Sequence, residues 1–343
     1  MSPAPTFMRA EIAEIPDSVA VLLEGAGDRL AAAGRRLRAT NPALIATVAR
    51  GSSDHVATYL KYAIELLAGV PVASVGPSVI TIYDANPRLR DAACFAISQS
   101  GQSPDIVATA GAAHDGGALT FAITNTPASP LAEACDELVD IMAGPERSVA
   151  ATKSFVNSAV AGLALLGHWI GDDDLLAALE SLPPRLAAAI DCDWVALAEA
   201  VGARSSLFIL GRGPAVAIAK EAALKFKETC SLHAEAYSTA EVMHGPVSLV
   251  GEAFPVLVLA ARDAAEKSCA ETADLLAGRG AAVFATSDLP RRAGHLPFVS
   301  TGHPIADSLA LIVSFYAFIE AFARRRGLDP DRPANLKKVT ETR

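Results

Sequence analysis

Residues 43–69 read ALIATVA, RGSSD, HVATYLKYAIELLAG, and this stretch decides the fold. The run Ala43 to Ala49 is apolar and short, as a strand buried on both faces should be. Arg50-Gly51-Ser52-Ser53-Asp54 supplies a turn, and VATYLKYAIELLAG then repeats its apolar residues at helical spacing as far as Gly69. The same order of strand, turn and helix returns as ACFAIS, QSGQSPD and an Ala-rich helix, then as LTFAIT, NTPASP and LAEAC, with DELVDIM as a further strand. Strands that alternate with helices imply a parallel sheet covered on both faces. A long helix expected from near Ser148 to about Ile170 closes this half.

The scheme starts again after GDDDLLAALESLPPRLAAAIDCD, which reads as helix, Pro-Pro break and helix. SSLFIL, a GRG turn and PAVAIAKEAALKFKETC open a second half. FPVLVLA, AAVFATS and HLPFVS are its other strand candidates, interleaved with AAEKSCAETADLLAGRG and a last helix near Asp307 to Arg326. The expected fold is therefore α/β, with two similar lobes in tandem and a linker around 170–200. The halves share turn and helix placement rather than residue identity, so the repeat is architectural.

Length and composition agree. A chain of 343 residues, 51% hydrophobic and 20% charged, with 24 Gly and 21 Pro spread along it, is globular and large enough for two domains. A net charge of −9 argues against non-specific nucleic-acid binding, so an anionic substrate must be held by locally placed donors. Five cysteines without a CxxC pair fit reduced thiols and a cytoplasmic location better than disulfides or zinc. No basic and apolar leader opens the chain, and SLALIVSFYAFIEAFA carries Glu320 and falls short of the roughly 20 apolar residues of a membrane span. No membrane partner is expected.

Ser98-Gln99-Ser100-Gly101-Gln102-Ser103 lies between a strand and a helix opened by Pro104, with Ser103 as expected N-cap. Three hydroxyls and the amides of a helix N-terminus suit a phosphate without a formal charge. An ordinary capped βα turn has the same composition. Gly51-Ser52-Ser53-Asp54 occupies the equivalent turn after the first strand and falls on the same carboxyl edge, although a plain cap by Ser53 or Asp54 explains it equally. Gly211-Arg212-Gly213 lacks the third glycine and the downstream acid of a dinucleotide loop, which excludes a nicotinamide cofactor.

Glu221, Lys225 and Glu228 fall on one helical stripe, the usual pattern of a solvated salt-bridge face. Against that reading, the next segment, LHAEAYSTAEVMHGP, crowds His233, Glu235, Glu241 and His244 together, a density that suggests proton transfer. The histidine spacing matches no standard zinc site. In the polar tail, Lys337 or Lys338 could pair with an anion or form a Schiff base with a ketose, as readily as sit on a solvated terminus.

Together MRAEIAEIP, RGSSD, SQSGQS, SVAATKSF, LGRGPAVAIAKEAALKFKE, LHAEAYSTAEVMHGP and NLKKVT resemble, in order and spacing, the sugar isomerase (SIS) domain family, in the double-SIS form of the isomerase half of glucosamine-6-phosphate synthase. The resemblance implies flavodoxin-like three-layer domains at 31–175 and 195–330, preceded by a helical segment at 1–30 and followed by a closing tail at 331–343. It implies that Ser53, Ser98, Gln99, Ser100 and Ser103 hold the sugar phosphate, with the backbone of Val149 to Ala151 near the sugar. Glu228 corresponds to the base between C1 and C2, Lys225 to its companion, and His244 to a ring-opening histidine that reaches the site from a neighbouring subunit, which implies a homodimer. Counting from Asn335-Leu336 selects Lys338 as the tail lysine, whereas counting back from Val339-Thr340 selects Lys337; the first count is adopted. The chain departs from the pattern at Arg50, where a small residue or Cys is usual, and at Ala151, where Ser is. It also shows no glutaminase segment before MRAEIAEIP and no Cys after Met1. The expected activity is therefore amino-sugar phosphate deamination, a hydrolase and isomerase in one, from glucosamine 6-phosphate to fructose 6-phosphate and ammonia without a cofactor. A plain aldose–ketose isomerase and a non-catalytic phosphosugar sensor are the alternatives.

Overall fold

The computed structural model of the chain describes residues 5–334 together with Leu336 and Lys338. Its first sheet has the order β2-β1-β3-β4-β5, with β1 Leu44–Val48, β2 Val72–Ser74, β3 Ala92–Ile97, β4 Leu119–Thr124 and β5 Glu137–Asp140. The second has the order β10-β9-β8-β6-β7, with β6 Ser206–Gly211, β7 His233–Ser238, β8 Pro255–Val258, β9 Ala282–Ala285 and β10 Gly294–His295. Every pairing in both is parallel. Counted from its own first strand, each sheet has the order 2-1-3-4-5, the flavodoxin-like doubly wound order, so the tandem α/β fold stands. Strand β3 is buried at all six positions, which is why its sequence, AACFAI, shows no polar alternation.

The chain divides into two compact units, and the division is not a single cut. One unit holds Asp17–Glu146 and Lys153–Glu180, the other Ser181–Leu336, the short piece Arg147–Thr152 and the N-terminal residues as far as Pro16. In the first, Cys94, Ile106, Ala110, Ala122 and Leu131 form a core between β3, β4 and the Pro104–Asp115 helix. In the second, Phe208, Val256, Val258, Ala273 and Leu276 do the same for β6, β8 and the Glu266–Ala277 helix.

Several expectations change in detail. The helix expected from Ser148 begins at Lys153, because residues 147–152 are drawn into the other unit. HLPFVS contributes only its first residue to β10. The linker around 170–200 carries the two expected helices, Asp173–Glu180 and Leu182–Ile190, and an unexpected third, Val195–Val201. The late apolar stretch extends to a 22-residue helix, Pro304–Arg325, long and apolar enough to cross a membrane by length and composition, yet 94% of its most apolar window is buried inside the protein. It is a core helix of its unit, and Glu320 inside it accepts a hydrogen bond from the Thr6 hydroxyl at 2.8 Å.

Candidate functional site

In a doubly wound sheet the crevice opens where strand order reverses, beyond the carboxyl ends of the first and third strands. In the first sheet those ends lead into Arg50–Asp54 after β1 and Ser98–Ser103 after β3. Gly101 sits at φ +63°, and a Cβ there would lie 2.2 Å from the Ser129 hydroxyl, so the turn requires glycine. The Ser98 hydroxyl, 7% exposed, accepts from the Gly101 amide at 3.2 Å, and the Ser100 hydroxyl accepts from the Gln102 amide at 3.3 Å. Each hydroxyl keeps its own proton to donate. The loop therefore offers hydroxyl donors, while two of the amides expected to serve an anion are engaged within it. The Gln99 carbonyl is used structurally, accepting from Asn125 N and Thr124 Oγ1.

Ser103 occupies the N-cap position, but its side chain makes no capping hydrogen bond. Ser53 and Asp54 do not cap their helix either. Arg50 is the N-cap residue of Gly51–Leu67, so Ser53 lies inside the first turn, half-buried. The Arg50 guanidinium reaches the next helix instead, with Nε and Nη2 each 3.0 Å from Asp105 Oδ2.

The corresponding edge of the second sheet has opposite chemistry. Beyond β8 and β9, Arg262 pairs with Glu266 and Asp288 and stacks 3.6 Å from the Phe298 ring centroid. Burial, with Glu266 and Asp307 nearby, pushes the Asp263 carboxyl above its usual range. An anion would meet carboxylates there, so the first sheet is the one suited to a phosphate. The same neighbourhood holds Gly211 and Gly213, where a Cβ on Gly211 would fall 2.4 Å from the Ala215 carbonyl oxygen. Gly211 serves close packing of turn on helix, and Gly213 sits at φ +59°.

The stripe on Ala215–Cys230 is not the solvated face that its spacing suggests. Glu221 and Lys225 are fully buried, and the Lys225 ammonium lies 3.1 Å from Glu221 and 2.6 Å from Glu228. Tyr316, from the Pro304–Arg325 helix, donates its hydroxyl to Glu221 at 3.1 Å. Burial alone would lower the Lys225 pKa, but the two carboxylates outweigh it and hold the ammonium above the usual lysine range. Glu228, 20% exposed at its side chain, is the member of this network that faces solvent. A carboxylate fixed by a buried ammonium and still accessible can exchange a proton with a bound molecule.

The crowd of titratable groups after this helix is dispersed. LHAEAYS is an edge strand, and His233 stands at the amino end of β7 with Nδ1 2.9 Å from the Ser206 hydroxyl. Glu235 accepts from Tyr237 on the same strand. Glu241 and His244 lie beyond the carboxyl end of β7 in a 3₁₀ turn, both exposed. Helix Ala215–Cys230 starts at the carboxyl end of β6, and Glu228 lies about 20 Å along it, just before the chain re-enters the sheet at the amino end of β7. Glu228 and His244 are thus at opposite edges of one sheet.

Among the tail residues, Asn335 and Lys337 lie outside the described residues. Lys338 Nζ is 2.9 Å from Glu146 Oε2, and the same oxygen accepts from the Ser154 hydroxyl at 2.7 Å.

A family model described as the SIS domain matches residues 41–167 and 202–292, more than half of the chain. The chain belongs to the SIS domain family. Glutamine–fructose-6-phosphate aminotransferase (isomerizing) from Symbiobacterium thermophilum is 31% identical over 86% of the chain and 51% of its own length. The enzyme of the same name from Mycolicibacterium smegmatis is 33% identical over 97% of the chain and 57% of its own. The chain thus spans about half the length of these curated relatives. A crystal structure from Silicibacter pomeroyi, provisionally assigned as a phosphosugar isomerase, is 59% identical with a TM-score of 0.93, covering 95% of this chain and 100% of its own. The C-terminal domain of glucosamine-fructose-6-phosphate aminotransferase from Francisella tularensis, 24% identical with a TM-score of 0.86 over 96% and 99% of the two chains, shares the SIS fold.

Within the SIS chain, one buried carboxylate that holds a segment of the expected site carries no local signal in the sequence. Glu11 of MRAEIAEIP is 4% exposed, and its carboxylate accepts from the amides of Arg147 and Ser148, the latter at 3.2 Å. It anchors the segment that continues into Val149 and Ala151, both half-buried. Its position within an ordered motif gave no hint of a partner 136 residues away.

Proposed function

We propose that this SIS chain interconverts the aldose and ketose forms of a phosphorylated sugar, and that its substrate is glucosamine 6-phosphate, released as fructose 6-phosphate and ammonia. The observation that carries the reading is the buried network of Glu221, Lys225 and Glu228, with Glu228 open to solvent. A phosphate-binding module has no use for a desolvated ammonium that holds an accessible carboxylate. The phosphate is assigned to Ser98, Ser100 and Ser103, with Ser53, Gln99 and the Val149–Ala151 backbone around the sugar. After ring opening, Glu228 takes the proton from C2 and returns it to C1, leaving a C2 imine that water converts to the ketose and free ammonia. The relatives named for amino transfer to fructose 6-phosphate support an aminated sugar, since the same proton shift runs in either direction. Hydrolase as a class is not carried forward, because the relatives are named as an aminotransferase and an isomerase.

His244 opens the ring in this reading, and it comes from a second copy of the chain. The placement of Glu228 and His244 at opposite edges of their sheet supports a homodimer. Lys338 joins the substrate by exchanging Glu146 for it. The test is to incubate the purified protein with glucosamine 6-phosphate and measure ketose and ammonia together. Coupled release supports the proposal, aldose–ketose exchange without ammonia leaves the plain isomerase, and a melting shift without turnover leaves the sensor. Glu228→Gln should abolish turnover while keeping affinity within several-fold.

A further inference from the structure

Arg50 and Asp105 stand on the two turns that flank the reversal of strand order in the first sheet. Asp105 is the second residue of the Pro104–Asp115 helix, directly after the serine loop, and is 2% exposed. A carboxylate in the first turn favours a helix, yet a second anion brought to the same helix end feels it at close range and low dielectric. The Arg50 guanidinium places Nε and Nη2 at 3.0 Å from Asp105 Oδ2 while remaining 54% exposed. A surface pair of this kind usually adds little stability, but here one partner is buried beside the loop assigned to a dianion.

We propose that Arg50 is a positioning residue for the substrate's phosphate: by neutralising the buried Asp105 carboxylate, it makes the serine loop tolerant of a doubly negative group. The inference rests on the reading given under Proposed function and adds to it the determinant that selects a phosphorylated over an unphosphorylated sugar. Arg50 acts through Asp105 and needs no contact with the phosphate. This separates it from a direct phosphate ligand, whose loss could not be repaired at Asp105.

The test is a double-mutant cycle on the full chain, using isothermal titration with fructose 6-phosphate and with inorganic phosphate, and recording the melting temperature of each variant. Arg50→Gln should weaken both ligands by about tenfold or more, as expected for a carboxylate facing a dianion a few ångströms away. Asp105→Asn should bind as well as the original protein or better, and Arg50→Gln with Asp105→Asn should regain most of the lost affinity. If the double variant stays as weak as Arg50→Gln, Arg50 is a direct ligand and the proposal is overturned. If Asp105→Asn alone weakens binding, the pair merely shapes the loop and the proposal is again overturned. Should Arg50→Gln fail to fold, Asp105→Asn decides by itself, since undiminished binding by that variant is the expected result. Absence of binding by the unsubstituted chain would refute the phosphosugar reading as well, whereas tight binding that is indifferent to Arg50→Gln would refute this inference alone.

Discussion

Replacing Lys225 by Met tests whether the buried charges are as consequential as their burial suggests. Methionine nearly fills the volume of the lysine stem but leaves the Glu221 carboxylate, fully buried, without the ammonium at 3.1 Å. Removing one partner of a buried pair costs about 3–5 kcal/mol, because the remaining charge has lost its compensation but not its desolvation. With Glu221 and Lys225 both at 0% exposure, solvent screening gives no reason to discount that figure. For a unit of this size it corresponds to a fall in Tm of about 6 to 20 °C. The lysine pKa is raised in the folded chain, so its contribution is complete below the unfolded lysine value and is lost only as pH rises through the higher folded one. The loss on Lys225→Met should therefore be the same at any pH between about 6 and 9 as far as the lysine is concerned. Urea unfolding followed by circular dichroism provides the measurement, with Lys225→Met plus Glu221→Gln as the control that should recover part of the loss. An unfolding free energy for Lys225→Met within about 1 kcal/mol of the original protein would refute the reasoning.

Replacing Ser98 and Ser100 by Ala removes two hydroxyl donors worth about 1.5–3 kcal/mol each to an anion, so KM for the sugar phosphate should rise well over tenfold. Because Ser98 is buried and bonded to Gly101 N, the same variant should also lose about 1 kcal/mol of stability, measurable by urea unfolding. Gly101→Ala meets both the positive φ and the Ser129 hydroxyl 2.2 Å from the new methyl, and should lower Tm and sugar-phosphate affinity together in a thermal-shift titration. Burial pushes the Cys94 thiol up to about 12 and those of Cys135, Cys230 and Cys269 up to about 11, so maleimide labelling of these four at pH 7.5 should be slow in the native protein and fast after unfolding.

The rhythm of strand, glycine or serine turn and helix was legible because each half repeats it with buried, uninterrupted apolar strands. β2 was not, since three residues at a sheet edge, Val72–Ser74 with two of them exposed, carry no periodic signal. HAEAYS suggests proton transfer by its titratable residues, while their alternation with Ala234 and Ala236 marks an edge strand. The stripe on Ala215–Cys230 was visible at its spacing, but whether Lys225 is solvated depends on Tyr316, supplied 91 residues later by another helix. Arg50 stood out as an unusual residue in its turn, and its partner Asp105 belongs to a different strand-turn-helix unit, so no local pattern joins them. For Lys225 and Arg50 the missing information was the identity of a distant neighbour.

The dependence of the Glu221–Lys225 pair on Tyr316 also constrains how the protein can be made. A ribosome delivers the Ala215–Cys230 helix long before Pro304–Arg325, the last helix among the described residues and one that packs on it. During that interval an ammonium and a carboxylate that the finished protein keeps dry remain hydrated, and the faces of Ala215–Cys230 and Leu182–Ile190 that the late helix packs against stay open. The second unit can close only once Pro304–Arg325 has been made. When that helix emerges, the nascent chain must choose between docking it at home and surrendering a largely apolar 22-residue helix to chaperones, neighbouring chains or a lipid surface. The solvent-facing Glu228 carboxylate is thereby tied to translation beyond Tyr316: a chain released earlier lacks the hydroxyl that supports the Glu221–Lys225 pair beside it.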